Sequence, residues 1–173
     1  INQIEHLVNE FSDFARMPKP IFRNNDLIIL IKDNIRLLKE LDPSIQILFK
    51  TNVEQIFFES DKEQISRVFF NLIKNSIESI NEKVQKNGDF DKKILIEFND
   101  NSNHISIIFN DNGVGFKNFD MNKKEILNPY FTTKKEGTGL GLSIANKIIN
   151  DHDGNIEFKS KEDGAIIKII FNR

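Results

Sequence analysis

The chain has no cysteine among its 173 residues. That one absence excludes a disulfide framework, a zinc knuckle and a thiol nucleophile together. Long hydrophobic runs are missing as well. The longest unbroken apolar stretch, Leu27 to Ile31, is far short of the roughly 18 residues that a membrane span needs, so a soluble piece is expected. There is no surplus of positive charge. Lys and Arg number 24 against 26 Asp and Glu, a net −2, and no basic field gathers phosphate backbones or anionic lipid. Nucleic acid is therefore not an expected partner. The sequence starts at Ile1 without an initiator Met and without a signal-peptide pattern, and it reads as a segment of a longer protein. At roughly 150 residues per domain its length predicts one domain with a short appendage. A chain of this size buries close to 70% of its unfolded surface, roughly enough for a full core.

Ile1, Ile4, Val8, Phe11 and Ala15 recur at alternating steps of three and four, the seam of a helix that packs on other helices. Met17-Pro18-Lys19-Pro20 stops that helix, because each proline lacks an amide donor and holds its predecessor extended. A linker is expected over 18–25. Leu27, Ile31, Ile35, Leu38 and Leu41 predict a helix that Asp42-Pro43 ends. Ile45 to Phe49 and Ile56 to Phe58 read as short strands. Asp61 and Gln64 form a capping pair for a long helix with the apolar stripe Ile65, Val68, Phe69, Leu72, Ile73, Ile77 and Ile80. Alternation predicts strands at Ile94 to Phe98 and Ile105 to Phe109. A helix from about Leu140 to His152 and strands at Ile156 to Phe158 and Ile166 to Phe171 follow. Helices grouped among mostly hairpin-like strands point to an α+β, two-layer sandwich of one sheet covered by helices.

Three constellations stand out from this scaffold. On the long helix Asn71 and Asn75 lie one turn apart at the border of the buried face. They are either two solvated surface residues or a pair of carboxamide oxygens for a hard cation such as Mg²⁺, which takes its other ligands from water and phosphates. The run Asn110-Asp111-Asn112-Gly113-Val114-Gly115-Phe116 follows a strand. It reads as a hairpin turn, or as a loop whose glycines close over a ligand while a carboxylate accepts from a flat heterocycle. The polar, irregular stretch Lys117 to Lys124 supplies no partner strand, which weakens the hairpin. Gly137-Thr138-Gly139-Leu140-Gly141-Leu142 opens onto a periodic helix, where freed amides and the helix dipole make a phosphate cradle; a flexible linker is the alternative. No G-x-x-x-x-G-K follows a strand, and neither H-R-D nor D-F-G occurs, which excludes the P-loop and the serine/threonine/tyrosine kinase fold.

In order, N-L-I-K-N-S-I-E-S-I at 71–80, D-N-G-V-G-F at 111–116, N-P-Y-F-T-T-K at 128–134 and G-T-G-L-G-L at 137–142 resemble the N box, first glycine box, F box and second glycine box of the ATP-binding domain of sensor histidine kinases. The likeness covers roughly residues 21–173. The opening E-F-S-D-F-A-R-M-P-K-P at 10–20 is similar to the end of the second dimerisation helix in the NtrB/NtrY-like nitrogen-regulation branch. The resemblance implies a Bergerat-type mixed sheet with helices on one face, ATP lying between helices, and a mobile lid over about Lys117 to Glu136. It implies a division into a dimerisation-helix end at 1–17, a linker at 18–25 and a catalytic domain at 26–173.

The same resemblance assigns roles. Asp111 would receive the adenine amino group, with Gly113 and Gly115 turning closely around the base. Asn75, with Asn71 beside it, would hold Mg²⁺ on the phosphates. Thr132, Thr133, Lys134 and Lys135 would sit on the lid, Gly137, Gly139, Leu140 and Gly141 would wrap the phosphates with Thr138 adding a hydroxyl, and Lys74 would give a further phosphate contact. ATP and Mg²⁺ are the implied cofactors. The implied partners are the protein's own dimerisation domain, in a homodimer, and a response regulator, in a cytoplasmic setting with any membrane attachment upstream. Gyrase-type and chaperone relatives carry a water-activating glutamate four residues before the magnesium Asn; here that position is Asn71, and a neutral carboxamide is no general base. Phosphoryl transfer to a histidine on the dimerisation helix is thus expected. A docking module without transfer, and an ATP hydrolase, are the alternatives. No H-E/D-x-x-x-P acceptor string occurs, and His6, His104 and His152 read as packing or surface histidines.

Overall fold

The computed structural model describes residues 12, 16–116, 126–130, 132 and 138–173. Most of the seam helix expected over 1–17, and most of the lid expected over 117–136, lie outside them. Five strands form one mixed sheet: β2 (Gln46–Thr51), β4 (Lys93–Asp100), β5 (His104–Asp111), β6 (Gly154–Ser160) and β7 (Ala165–Asn172) run in the spatial order β2-β4-β5-β7-β6. Only the β2–β4 pair is parallel. Three helices, α1 (Leu27–Lys39), α2 (Lys62–Asn87) and α3 (Gly141–Asp151), cover one face. The result is the expected α+β two-layer sandwich.

A second sheet of two strands pairs the strand expected near Ile56 to Phe58 with one that the pattern does not show. β1 (Arg23–Asp26) pairs antiparallel with β3 (Phe57–Ser60), so the chain re-enters regular structure inside the stretch read as linker. The last residue of β1 does double duty: Asp26 Oδ1 accepts from Ile28 N at 2.9 Å as the N-cap of α1, and from Ile56 N at 3.2 Å.

Strict period-two alternation builds the core. Ile94, Ile96 and Phe98 of β4, Ile105, Ile107 and Phe109 of β5, Ile156 and Phe158 of β6, and Ile167, Ile169 and Phe171 of β7 are all buried. Against them α2 sets Ile65, Val68, Phe69, Leu72, Ile73, Ile77 and Ile80, the stripe read from the sequence. The Phe69 ring lies 5.9 Å from Phe98 and 6.2 Å from Phe109, within the range of attractive aromatic pairs.

The start of α2 departs from the expected reciprocal cap. Asp61 Oδ1 accepts from Glu63 N and Gln64 N, both at 3.0 Å. Gln64 does not reach back; its Nε2 donates to Pro18 O at 2.9 Å. The Asp61 amide goes instead to His152 Nε2 at 3.0 Å, while His152 Nδ1 bonds Ile148 O at 2.7 Å. A carbonyl only accepts and an amide only donates, so the imidazole proton resides on Nδ1. Burial pushes the Asp61 carboxyl up, but the Ile21, Gln64 and Glu63 amides outweigh it and hold it below the usual carboxylate range. Buried His152 thereby ties the end of α3 to the start of α2, and Phe22 packs edge-on against its ring at 5.1 Å.

His152→Ala strands the Asp61 amide and removes the ring under Phe22. The expected cost is about 2–4 kcal/mol, visible as a lower urea midpoint with an unchanged slope. A midpoint equal to that of the parent would show that the two helix ends do not depend on this bridge.

Candidate functional site

Continuing the buried alternation of β5 by one step, Ile105, Ile107, Phe109, then Asp111, puts a carboxylate where the next core residue belongs. Asp111 is 5% exposed. Its Oδ2 accepts from Ser76 Oγ of α2 at 3.2 Å and its Oδ1 from Gly113 N at 2.9 Å. Burial raises its carboxyl above the usual range; the Gly113 amide, the Ser76 hydroxyl and the Lys161 charge oppose that without cancelling it. The arrangement holds an acceptor-rich group at the rim of the core, which is costly in the free protein and useful only toward a donor.

The loop after Asp111 lies directly on α2. Val114 N bonds Ser79 Oγ at 3.1 Å and Ser79 O at 3.3 Å. A Cβ on Gly113 would come within 2.2 Å of Ser79 Oγ and 2.8 Å of Ile80 N, so only glycine lets the loop touch the helix backbone. Gly115 has φ +67°, and a Cβ there would meet Gly164 O at 2.4 Å. Protein packing, independent of any ligand, already demands both glycines.

One turn back along α2, the flank turns toward α3. Asn71 Nδ2 donates to Gly141 O at 3.3 Å. A Cβ on Gly141 would sit 3.8 Å from Asn75 Nδ2 and 4.0 Å from Asn71 Cγ. The asparagine pair therefore faces the first turn of α3, whose N-cap Leu140 makes no side-chain capping bond; the outward amides of that turn favour an anion. Thr138 Oγ1 accepts from Leu140 N at 3.4 Å, and Leu140 is fully buried. Tyr130 N bonds Gly139 O at 3.2 Å, which joins the N-P-Y-F and G-T-G-L segments. Thus α2 carries two groups, Asn71 with Asn75 toward the phosphate-type loop and Ser76 with Ser79 toward the Asp111 loop.

Lys74 stands apart: it is exposed and pairs with Glu78 at 3.8 Å. Thr132 is exposed, while Thr133, Lys134, Lys135 and Gly137 lie outside the described residues. Ser76 and Ser79 were not singled out from the sequence. The signal was available, since Ser76 interrupts the apolar face between Ile73 and Ile77.

The sequence profile of the histidine kinase-, DNA gyrase B- and HSP90-like ATPases matches residues 60–172, and the chain belongs to that family. It is 37% identical over 172 residues to an NtrY-like sensor histidine kinase of Rickettsia conorii, covering 99% of this chain and 27% of that protein. The catalytic domain of histidine kinase ThkA has the same fold, with a TM-score of 0.75 and 30% identity over 88% of this chain and 95% of that one. ThkA in complex with the response regulator protein TrrA gives a TM-score of 0.79 at 26% identity, over 99% of this chain and 47% of that one. The chain spans about a quarter of the length of the curated relatives it matches. Among the described residues no helix is long and apolar enough to cross a membrane.

The raised Asp111 carboxyl has a stability consequence. Its charged form is disfavoured in the fold, so stability falls as pH rises from the ordinary carboxylate value through the raised one. Asp111→Asn keeps an acceptor for Gly113 N and removes the buried charge. Without nucleotide at pH 7 it is expected to melt higher than the parent; a lower melting temperature would contradict the electrostatic account.

Proposed function

We propose that the chain is the ATP-binding catalytic domain of a two-component sensor histidine kinase, preceded over 1–17 by the end of its dimerisation helix and over 18–25 by a connecting segment. The observation that carries this reading is one helix presenting an asparagine pair to an uncapped helix N-terminus and a serine to a buried carboxylate. That is a phosphate end and a base end on one rail.

In this reading Asp111 accepts the adenine amino hydrogen, a bond that only the ionised carboxylate makes from every oxygen. Amides of the first turn of α3, with Gly137, Gly139 and Thr138, receive the phosphates. The resemblance gives Thr132, Thr133, Lys134 and Lys135 to the far phosphate, with Lys74 as a further cation. The donor set fits Mg²⁺. Asn71 donates through Nδ2 to Gly141 O, so its carbonyl oxygen is the group that would serve a hard cation, with Asn75 beside it. Mg²⁺ characteristically takes its remaining ligands from phosphates and water. Bound Mg²⁺ supplies neutralisation of phosphate charge. The chain's own residues orient the nucleotide for in-line transfer to an imidazole on the dimerisation helix, so the contribution is positioning and charge rather than covalent chemistry. With Asn71 at the place of a water-activating glutamate, the acceptor is a histidine rather than water. A response regulator then takes the phosphoryl group.

Calorimetry is expected to show Mg²⁺-dependent ATP binding that weakens as pH falls through the raised Asp111 value, because protonation removes the charge and turns one acceptor oxygen into a donor. Asp111→Asn is expected to lose about 1–3 kcal/mol of binding at pH 7 and to flatten that pH profile. Binding that is indifferent to both changes would refute the adenine assignment.

Given Mg-ATP alone, the chain is expected to show no acid-stable or acid-labile label on His6, His104 or His152. Supplying the upstream dimerisation helix in the same polypeptide is expected to give acid-labile histidine phosphate, lost again in Asn75→Ala. Label on His6 in the present chain would overturn the placement of the acceptor.

A further inference from the structure

A lysine outside all four boxes reaches the base end of the site from behind. Lys83 lies two turns beyond Ser76 on α2, and its side chain is 16% exposed. Its Nζ donates to Asn112 O at 2.8 Å. It also pairs with the Asp163 carboxylate of the turn between β6 and β7, and it stands 4.4 Å from the centre of the Phe90 ring. Asn112 O and Gly113 N belong to one peptide group. The carbonyl of that group accepts from Lys83, and its N–H donates to Asp111 Oδ1 at 2.9 Å. A trans peptide points its C=O and N–H in opposite directions, so a cation grips one end of the plane while the other end holds the carboxylate.

This peptide would otherwise turn easily. Gly113 follows it, and glycine leaves the rotation of the plane almost without steric penalty. A charge-assisted bond to the carbonyl removes that freedom and, by polarising the peptide, strengthens the N–H on the opposite side. The neighbouring turn is built to hold the lysine's other partner in place. Lys161 Nζ donates to Asn110 Oδ1, Lys161 N bonds Gly164 O at 3.0 Å, and a Cβ on Gly164 would fall 2.0 Å from Asp111 O. The turn therefore rests on the backbone of Asp111 itself. Asn112 is fastened as well, with Oδ1 accepting from Lys93 N at 2.9 Å and Nδ2 donating to Asp91 O at 2.6 Å.

We propose that Lys83 is a positioning residue for adenine recognition, which locks the Asn112–Gly113 peptide between the β6–β7 turn and the Asp111 carboxylate. The proposal rests on the reading of Asp111 as the base acceptor and extends it to a residue on the opposite side of the loop.

The test uses the whole chain with adenosine and with Mg-ATP. Lys83→Met is expected to weaken both by the same factor, about tenfold for one lost charge-assisted bond, and to speed amide exchange at Gly113 by a similar factor. Lys83→Arg is expected to restore most of the affinity. Asn75→Ala serves as the contrast, weakening Mg-ATP but leaving adenosine unchanged. Asp163→Lys, at a side chain 65% exposed and so tolerated by the fold, sets a like charge beside Lys83 and is expected to reproduce the Lys83→Met effect. Parent affinity together with parent exchange at Gly113 in Lys83→Met, or in Asp163→Lys should the methionine variant not fold, would overturn the proposal while leaving the nucleotide site standing. A parent chain that binds neither compound would instead sink the nucleotide reading on which it rests.

Discussion

The packing of one helix on one sheet face is the contact on which everything else depends. Phe69 sits between Phe98 and Phe109, and this fixes both the depth and the rotation of α2 relative to β4 and β5. With the rotation set, the flank of the helix has no freedom left: Asn71 and Asn75 must face α3, and Ser76 and Ser79 must face the loop leaving β5. The polar groups are aimed by an apolar interaction on the other side of the same helix, which is how a site gains accuracy from a close-packed interior. The Ser76 hydroxyl meets Asp111 because hydrophobic burial brings them together, and the 3.2 Å bond between them is a consequence of that placement.

Much of this was legible in the sequence. Helical spacing from Ile65 to Ile80 gave α2 and its buried face, and alternation gave β4, β5, β6 and β7, because one-sided burial writes its period directly into the chain. The boxes around Asn75, Asp111 and Gly139 could be read because four short motifs follow one another in a specific order. The first strand of the small sheet could not. In β1, Arg-Asn-Asn-Asp has neither alternation nor β-branching, and it becomes a strand only because Phe57–Ser60 offers an edge. Gln64 carried a false cue. Its place three residues after Asp61 matches a capping box, but the reciprocal bond was lost to His152, a competitor far away in sequence. Lys83 left no local signature either, since its partners Asn112 and Asp163 are distant from it along the chain.

The connection entering the domain is fastened at several points. Gln64 takes Pro18 O, Asp61 Oδ2 takes the Ile21 amide at 2.8 Å, and Phe22 lies on His152. All three anchors are at the start of α2 or the end of α3. The entering segment therefore grips the same two helices that hold the candidate site.

The pairing of β5 with β7 sets a temporal order. Asp111 lies opposite Ala165, and Gly164 presses on its carbonyl, so the acceptor gains its final surroundings only when residues close to Arg173 have joined the sheet. Strand β2 likewise docks parallel to β4 after the intervening β3 and α2 have crossed over, a non-local arrangement that slows folding. On the ribosome Asn71, Asn75 and Asp111 are made before the strand that completes their surroundings. The candidate site is thus unfinished until β7 has paired with β5. A ligand that binds only the completed site lengthens the lifetime of the folded state rather than hastening its formation.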